Sequence, residues 1–288
     1  MITGKEFKDY ILLDAGDKEK IESWNGIILR RPDPMAIWPK TKEDIWDKYD
    51  AIYHRSNKGG GSWQFNKKLP EFWTINYKDL TFKVSPTNFK HTGIFPEQAV
   101  NWDFMMDKIQ NCDHEVKVLN LFAYTGCATM ACSKAGASEV VHVDASKGMI
   151  EWAKQNMQLS HLENNKIRFI VDDVLKFVQR EKRRGHKYHG IVMDPPSYGR
   201  GPNNELWKLE DQLYELINSC LDILDDDPLF FIINCYTTGF SNIVLENILK
   251  QTILKKYSFG KIETGEIGLP IKKDHMILPC GIYGRFYQ

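Results

Sequence analysis

The chain has 288 residues, 42% hydrophobic and 26% charged, which excludes a disordered, collagen-like or coiled-coil protein and fits one or two globular domains. Lys plus Arg and Asp plus Glu both number 38, so the formal net charge is zero. No global field draws such a chain onto nucleic acid or an anionic membrane, and a polyanion has to be gripped by a local patch. Six cysteines stand apart without a CxxC pair. Reduced thiols in a cytoplasm are expected, with no disulfide framework and no metal site. The first residues, MITGKEFKDYILLDAGDKEK, lack a charged-then-apolar leader pattern. The longest apolar runs, such as LFFII (229–233), are of strand length, so no membrane span is expected.

Residues 1–90 carry short β-like runs, YILLDAG (10–16), NGIILRRP (25–32), FWTINY (72–77) and LTFKVSP (80–86). The last two flank Lys78-Asp79, which predicts a two-residue hairpin turn. GGGS (59–62) predicts a flexible loop. This half is expected to be a small β-rich or α+β lobe that helps bind substrate, with the second domain over 91–288.

From about residue 116 strands and helices alternate. KVLNLFAY (117–124), EVVHVD (139–144), KIRFIVDD (166–173), YHGIVMDPP (188–196) and DPLFFIINCY (227–236) predict strands. CATMACSKAGA (127–137), SKGMIEWAKQNMQLSHL (146–162), VLKFVQREKRR (174–184) and SNIVLENILKQTILKKY (241–257) predict helices. ELWKLEDQLYELINSCLDIL (205–224) predicts one long helix, with Leu206, Leu209, Leu213, Leu216, Ile217 and Leu221 on its apolar face. SFGKIETGEIG and HMILPCGIYGRFYQ close the chain as two strands. The fold class is α/β: a mostly parallel sheet, helices on both faces, and a closing β-hairpin. Such sheets bind ligands beyond the carboxyl ends of their strands.

The unusual residues stand there. After the first strand, NLFAYTG (120–126) is a glycine turn opening a helix, whose free N–H groups suit a carboxylate or phosphate; ordinary turn chemistry gives the same text, and GxGxxG is absent. After the second, Asp144 either accepts from a ribose diol or caps the next helix. After the third, Asp172-Asp173-Val174 offers a carboxylate beside a backbone N–H, which suits the amine and ring nitrogen of adenine, with one aspartate read as a helix cap. After the fourth, DPPSYGRGP (194–202) is the most specific signal, because two prolines end the strand abruptly and aim the Asp194 carboxylate and Pro195 carbonyl at one point. After the fifth, Cys235 is either a packing cysteine or a nucleophile at the cleft.

FKHTGIFPEQ (89–98), VLNLFAYTGCATMACSKAGASEVVHVDASKGMIEWAKQNMQLSHL (118–162), DDV (172–174), MDPPSYGRG (193–201) and LPCGIYGR (278–285) together resemble the class I S-adenosylmethionine (SAM)-dependent methyltransferases. More narrowly, they resemble the bacterial large-subunit ribosomal RNA group, of cytosine carbon-5 and guanine type. The resemblance implies a Rossmann-like domain, SAM as cofactor and RNA, ribosomal RNA in particular, as partner. It implies cofactor contacts from Asn120, Phe122, Ala123, Tyr124, Thr125 and Gly126, from Asp144, Asp172, Asp173, Val174 and Asp194, and from a closing loop at Thr92, Gly93 and Phe95. It puts Asp194 and Pro195 at the catalytic loop, with Pro196, Ser197 and Tyr198 toward the substrate. Three departures stand out: Asn120 replaces an acid, the N-terminal residues do not resemble a PUA domain, and Ser197 stands where amine-methylating relatives place an aromatic.

The acceptor decides the remaining chemistry. An amine needs an acceptor such as Asp194 or the Pro195 carbonyl to aim its lone pair; a cytosine carbon needs a thiolate, for which Cys235 is the candidate. The expectation leans to cytosine. Basic residues at 176–187 form one candidate RNA track or a solvated helix face. His54, Arg55, Lys58, Lys67 and Lys68, interleaved with Trp63 and Phe65, form another. The acidic segment 205–227 is expected to face away from RNA. The competing readings are a protein or small-molecule methyltransferase and a non-catalytic RNA-binding protein.

Overall fold

The computed structural model describes residues 2–3, 7–41, 44–56, 60–237, 239–272 and 276–288. The chain forms two compact units, Asn101–Ile267 with Gly281–Gln288, and Ile2–Val100 with Gly268–Cys280.

The second of these opens with a two-residue strand β1 (Ile2–Thr3). It then builds a 5-stranded sheet in chain order from β2 (Tyr10–Gly16), β3 (Glu19–Trp24), β4 (Ile27–Pro32), β5 (Ala51–Arg55) and β6 (Gly61–Phe65). Neighbours are antiparallel except β4 and β5. The glycine run is thus only partly a loop, since Gly61 and Ser62 are paired with Arg55 and His54. β7 (Trp73–Tyr77) and β8 (Leu80–Val84) form the expected hairpin, with Lys78 at a φ of 51° in the turn. Alternation buries Leu12, Ile21, Trp24, Ile75, Leu80 and Phe82 on inner faces. The same core encloses charge: both Glu22 carboxylate oxygens accept from Arg31, at 2.7 and 2.8 Å, and Oε1 also accepts from the Tyr10 hydroxyl at 2.8 Å.

The larger unit follows α1 (Ala99–Gln110) with β9 (Lys117–Leu121), α2 (Cys127–Lys134), β10 (Glu139–Asp144), α3 (Lys147–Leu159), β11 (Ile167–Val171), α4 (Val174–Arg184), β12 (Gly190–Met193), the short β13 (Tyr198–Arg200) and β14 (Leu206–Lys208), α5 (Leu209–Cys220), β15 (Phe230–Cys235), α6 (Asn242–Lys256), β16 (Lys261–Pro270) and β17 (Ile277–Tyr287). Its sheet runs β16-β17-β15-β12-β9-β10-β11. Pairing is parallel from β15 to β11 and antiparallel between β15 and β17. Gly190–Met193 and Phe230–Cys235 are buried throughout, because helices cover both faces and leave no solvent side to alternate with. β11, at the edge, is only half-buried.

One element departs from its periodicity. The segment 205–224 is not a single helix: α5 starts at Leu209, and Leu206–Lys208 pair with Tyr198–Arg200. The Trp207 indole N–H donates to the Pro196 carbonyl at 2.6 Å, and Leu209 N donates to the Ser197 carbonyl at 3.0 Å. These bonds to the preceding loop outweigh the propensity of the first helical turn, and they leave Leu206 46% exposed rather than in the core. No helix among the described residues is long and apolar enough to cross a membrane.

Candidate active site

The turn after β9 is held in an unusual shape. Phe122 and Tyr124 lie at φ of 54° and 50°, and Gly126 at 83°. Non-glycine residues in that region cost on the order of 1–3 kcal/mol each and persist only where surroundings impose them. Here Ala123 N donates to the Val143 carbonyl at 3.0 Å, Tyr124 N to Asp144 Oδ2 at 2.8 Å, and Asn156 Nδ2 to the Thr125 carbonyl at 2.9 Å. Gly126 also leaves little room, because a Cβ there would lie 3.1 Å from Ala153 Cβ and 3.2 Å from His142 Cε1. α2 begins on Gly126 with no side-chain cap, whereas Ser146, Asp173 and Ser241 cap α3, α4 and α6. Its first-turn N–H groups are thus open to an anion. Asn120 is buried beneath and donates to Thr129 Oγ1 at 3.0 Å, which meets His142 Nδ1 at 2.9 Å. Burial pushes His142 down to about 3, so this imidazole is neutral.

Asp144 ties the turn to the end of β10. Its Oδ1 accepts from Ser146 N at 2.8 Å, while Ser146 provides the helix cap. A carboxylate has about four acceptor positions, so two remain for a diol. Burial raises the Asp144 carboxyl, against the two N–H groups that lower it. Asp173 is the helix cap of the pair, its Oδ1 accepting from Lys176 N at 2.9 Å. Its Oδ2 faces Gly201, where a Cβ would lie 3.2 Å away. Asp172 accepts from Asp173 N at 2.9 Å and pairs with Arg180. The Val174 side chain is in the core, leaving only its first-turn N–H for a ligand.

At the end of β12, Asp194 is half-buried and Pro195 buried. The Ser197 and Thr237 hydroxyls are 2.6 Å apart, joining this loop to the end of β15. Register pairs Met193 with Ile233, which sets Asp194 beside Asn234 and Cys235. Asn234 accepts from Asn101 at 2.9 Å in a buried group that includes Arg285. Cys235 is 1% exposed. Burial first, then the Asp194 charge, push its thiol up to about 12. A nucleophilic cysteine needs the thiolate, and this environment keeps the proton on. The sequence leaves Cys235 either a packing cysteine or a nucleophile at the cleft, and this burial is the setting of a packing one.

Trp207 was not singled out by sequence. Its ring lies 4.9 Å from that of Phe122, so one side chain touches both the glycine turn and, through its N–H, the Asp-Pro-Pro loop. In the sequence it is hidden in a leucine-rich helical pattern.

The two basic segments carry partners of their own. Lys176 pairs with Glu205 at 2.6 Å, Lys182 with Asp222 at 2.8 Å and Arg184 with Glu181 at 2.9 Å. The acidic segment supplies two of these partners, Glu205 and Asp222, to α4. In the N-terminal unit Trp63 packs edge-on to Tyr53 and donates to the Thr87 and Phe89 carbonyls, while Lys67 pairs with Asp50 at 2.6 Å. Arg55 is exposed; Lys58 lies outside the described residues. Thr92 is buried, Gly93 sits at a φ of 100° and Phe95 packs on His91, all within that unit. Among the described residues one group, Cys112, Asp113 and His114, brings three possible metal donors within 4.8 Å.

Comparison with known proteins agrees with this geometry. A family model described as S-adenosylmethionine-dependent methyltransferase matches residues 48–224. The crystal structure of a SAM-dependent methyltransferase from Agrobacterium tumefaciens superimposes with a TM-score of 0.93 at 34% identity, over 99% of this chain and 92% of that one. The ribosomal RNA large subunit methyltransferase K/L of Shewanella frigidimarina is 28% identical over 200 residues, 69% of this chain but only 26% of that protein. The ribosomal RNA large subunit methyltransferase K of Neisseria meningitidis is 23% identical over 256 residues, 86% of this chain and 69% of that protein. The family model covers more than half of the chain, which therefore belongs to the S-adenosylmethionine-dependent methyltransferase family.

Proposed function

We propose that the protein methylates a base of ribosomal RNA, at a nitrogen rather than at cytosine carbon. The RNA reading is supported by the relatives named above, and the free thiols suit a cytoplasmic enzyme. The nitrogen reading is carried by one observation, the half-buried Asp194 beside a Cys235 thiol that burial keeps protonated.

SAM, when bound, supplies an electrophilic methyl group on a sulfonium. The first-turn N–H groups of α2 would hold its carboxylate, Asp144 would accept from the ribose hydroxyls, and Asp173 Oδ2 with the Val174 N–H would take the adenine edge. The Asp194 carboxylate and Pro195 carbonyl accept hydrogen bonds from the acceptor N–H and turn its lone pair toward the methyl, which is a task of alignment. A base inside a duplex cannot reach this edge, so it arrives single-stranded or flipped.

The test uses ribosomal RNA from a strain lacking the gene, labelled SAM and nucleoside mass spectrometry. Wild type should methylate a base nitrogen, and Asp194→Asn should lose most turnover while keeping SAM affinity. A carbon-methylated product, or a SAM-dependent adduct with 5-fluorocytosine RNA that disappears in Cys235→Ala, overturns the nitrogen reading. No methylation of any RNA by wild type overturns the RNA reading.

A further inference from the structure

The β13–β14 ribbon has two unlike faces. Register pairs Tyr198 with Lys208, Gly199 with Trp207 and Arg200 with Leu206. In an antiparallel pair, directly opposed residues share a face and successive residues alternate. One face is therefore Gly199 and Trp207. Trp207 is 8% exposed and closes onto Pro196 and Phe122. The other face is Tyr198, Arg200, Leu206 and Lys208, all exposed, with Tyr198 at 56%.

The ribbon is fixed at both ends. Leu209 N and the Trp207 indole tie its base to the Ser197 and Pro196 carbonyls. At its tip, Gly201 N donates to the Glu205 carbonyl at 2.8 Å, and Glu205 Oε1 accepts from Lys176 of α4 at 2.6 Å. Gly201 is pressed so close that a Cβ would lie 2.4 Å from Glu205 Oε2. The ribbon thus spans from the Asp194 loop to the start of α4, where Asp173 stands.

We propose that this outer face is the strand-gripping surface for RNA, with Tyr198 stacking on a nucleotide next to the target base and Arg200 and Lys208 contacting its phosphates. The proposal rests on the RNA reading above and extends it to residues outside the cofactor site. Three observations support it. The face alternates an aromatic with cations, which is the chemistry of single-strand binding. The cations are accessible: Arg200 donates to a neutral partner, Asn204, at 3.0 Å, and Lys208 forms a long, exposed pair with Asp211 at 3.8 Å. By contrast Lys176, Lys182 and Arg184 of α4 are matched by Glu205, Asp222 and Glu181. A strand laid on a fixed ribbon beside Asp194 also presents its next base to the loop without ordering a flexible segment.

The test measures fluorescence anisotropy of the full-length protein with a labelled single-stranded oligoribonucleotide, across a salt series, with SAM affinity measured by calorimetry. Tyr198→Ala should weaken RNA binding about 5- to 100-fold. Arg200→Gln with Lys208→Gln should weaken it and reduce the salt slope by about 1.4. SAM affinity should be unchanged in both, which shows that the fold and cofactor site are intact. RNA binding and salt slope equal to wild type overturn the proposal even if wild type methylates ribosomal RNA. Loss of binding to a poly-glutamate probe with RNA binding unchanged also overturns it, in favour of an acidic protein partner. Failure of wild type to methylate RNA counts against the function reading, and the binding arm still decides the ribbon.

Discussion

Removing the Asp144 carboxylate separates its two jobs. Oδ2 holds the Tyr124 N–H and Oδ1 the Ser146 N–H, both at 2.8 Å. Asp144→Ala leaves two donors without their acceptor, at about 1–3 kcal/mol each where water cannot replace it. One of them belongs to Tyr124, whose left-handed φ of 50° depends on such restraints. A loss of about 2–4 kcal/mol in unfolding free energy follows. Asp144→Asn keeps one acceptor oxygen but sets an NH2 group against the other N–H, and should lose about half as much. SAM affinity should fall in both by the worth of a charge-assisted diol contact, about 1.5–3 kcal/mol or 10- to 150-fold. Burial raises the carboxyl, so SAM affinity should begin to fall at higher pH on acidification than an exposed aspartate would dictate. Calorimetry with SAM, paired with urea unfolding, checks this. Unchanged SAM affinity in folded Asp144→Asn and Asp144→Ala, whatever their stability, refutes the diol role and leaves Asp144 as a turn clamp.

Gly126→Ala should cost about 1–3 kcal/mol and weaken SAM binding, since alanine is strained at a φ of 83° and its methyl crowds Ala153 and His142; equal thermal midpoints for variant and wild type contradict this. In the N-terminal unit burial pulls Glu22 upward, but the charges of Arg31 and Lys20 and the bonds from Arg31 and Tyr10 prevail and hold it at about 2. A carboxyl lowered on folding stabilises above its unfolded pKa, so this contribution should be complete above about pH 4.5 and vanish as pH falls toward 2. Glu22→Gln strands the buried Arg31 charge and should cost about 3–5 kcal/mol at neutral pH, while flattening the acid limb of a stability-versus-pH curve. Cys235 should resist iodoacetamide at neutral pH, and Cys235→Ala should retain methyl transfer; rapid labelling or an inactive, folded Cys235→Ala contradicts the packing assignment.

Much of this was written locally in the chain. VLKFVQREKRR matches α4 at both ends, because Asp173 caps it and Gly185, at a φ of 68°, stops it. The glycine turn, Asp144 and the Asp-Pro-Pro loop were legible because each follows an apolar run that can only be a buried parallel strand. What was hidden depends on contacts between distant segments. Leucines at helical spacing from 205 onward could not reveal that Trp207 has a carbonyl to reach eleven positions back. The basic run of α4 read as either an RNA track or a solvated helix face, because two of its acids, Glu205 and Asp222, arrive from beyond β12. Cys235 stayed open between packing and nucleophile because depth within the sheet end has no sequence marker.

The N-terminal unit is made of two pieces of chain, Ile2–Val100 and Gly268–Cys280. The later piece is integral to it: Lys272 N donates to the Leu12 carbonyl at 3.0 Å, and Leu269, Ile271 and Leu278 are buried. During synthesis, then, the first hundred residues leave the ribosome lacking part of their own core, and the missing piece follows only after the strands from β9 to β15 have been translated. A cut near residue 100 does not excise a module, and an exchange of this unit between relatives must carry both segments together.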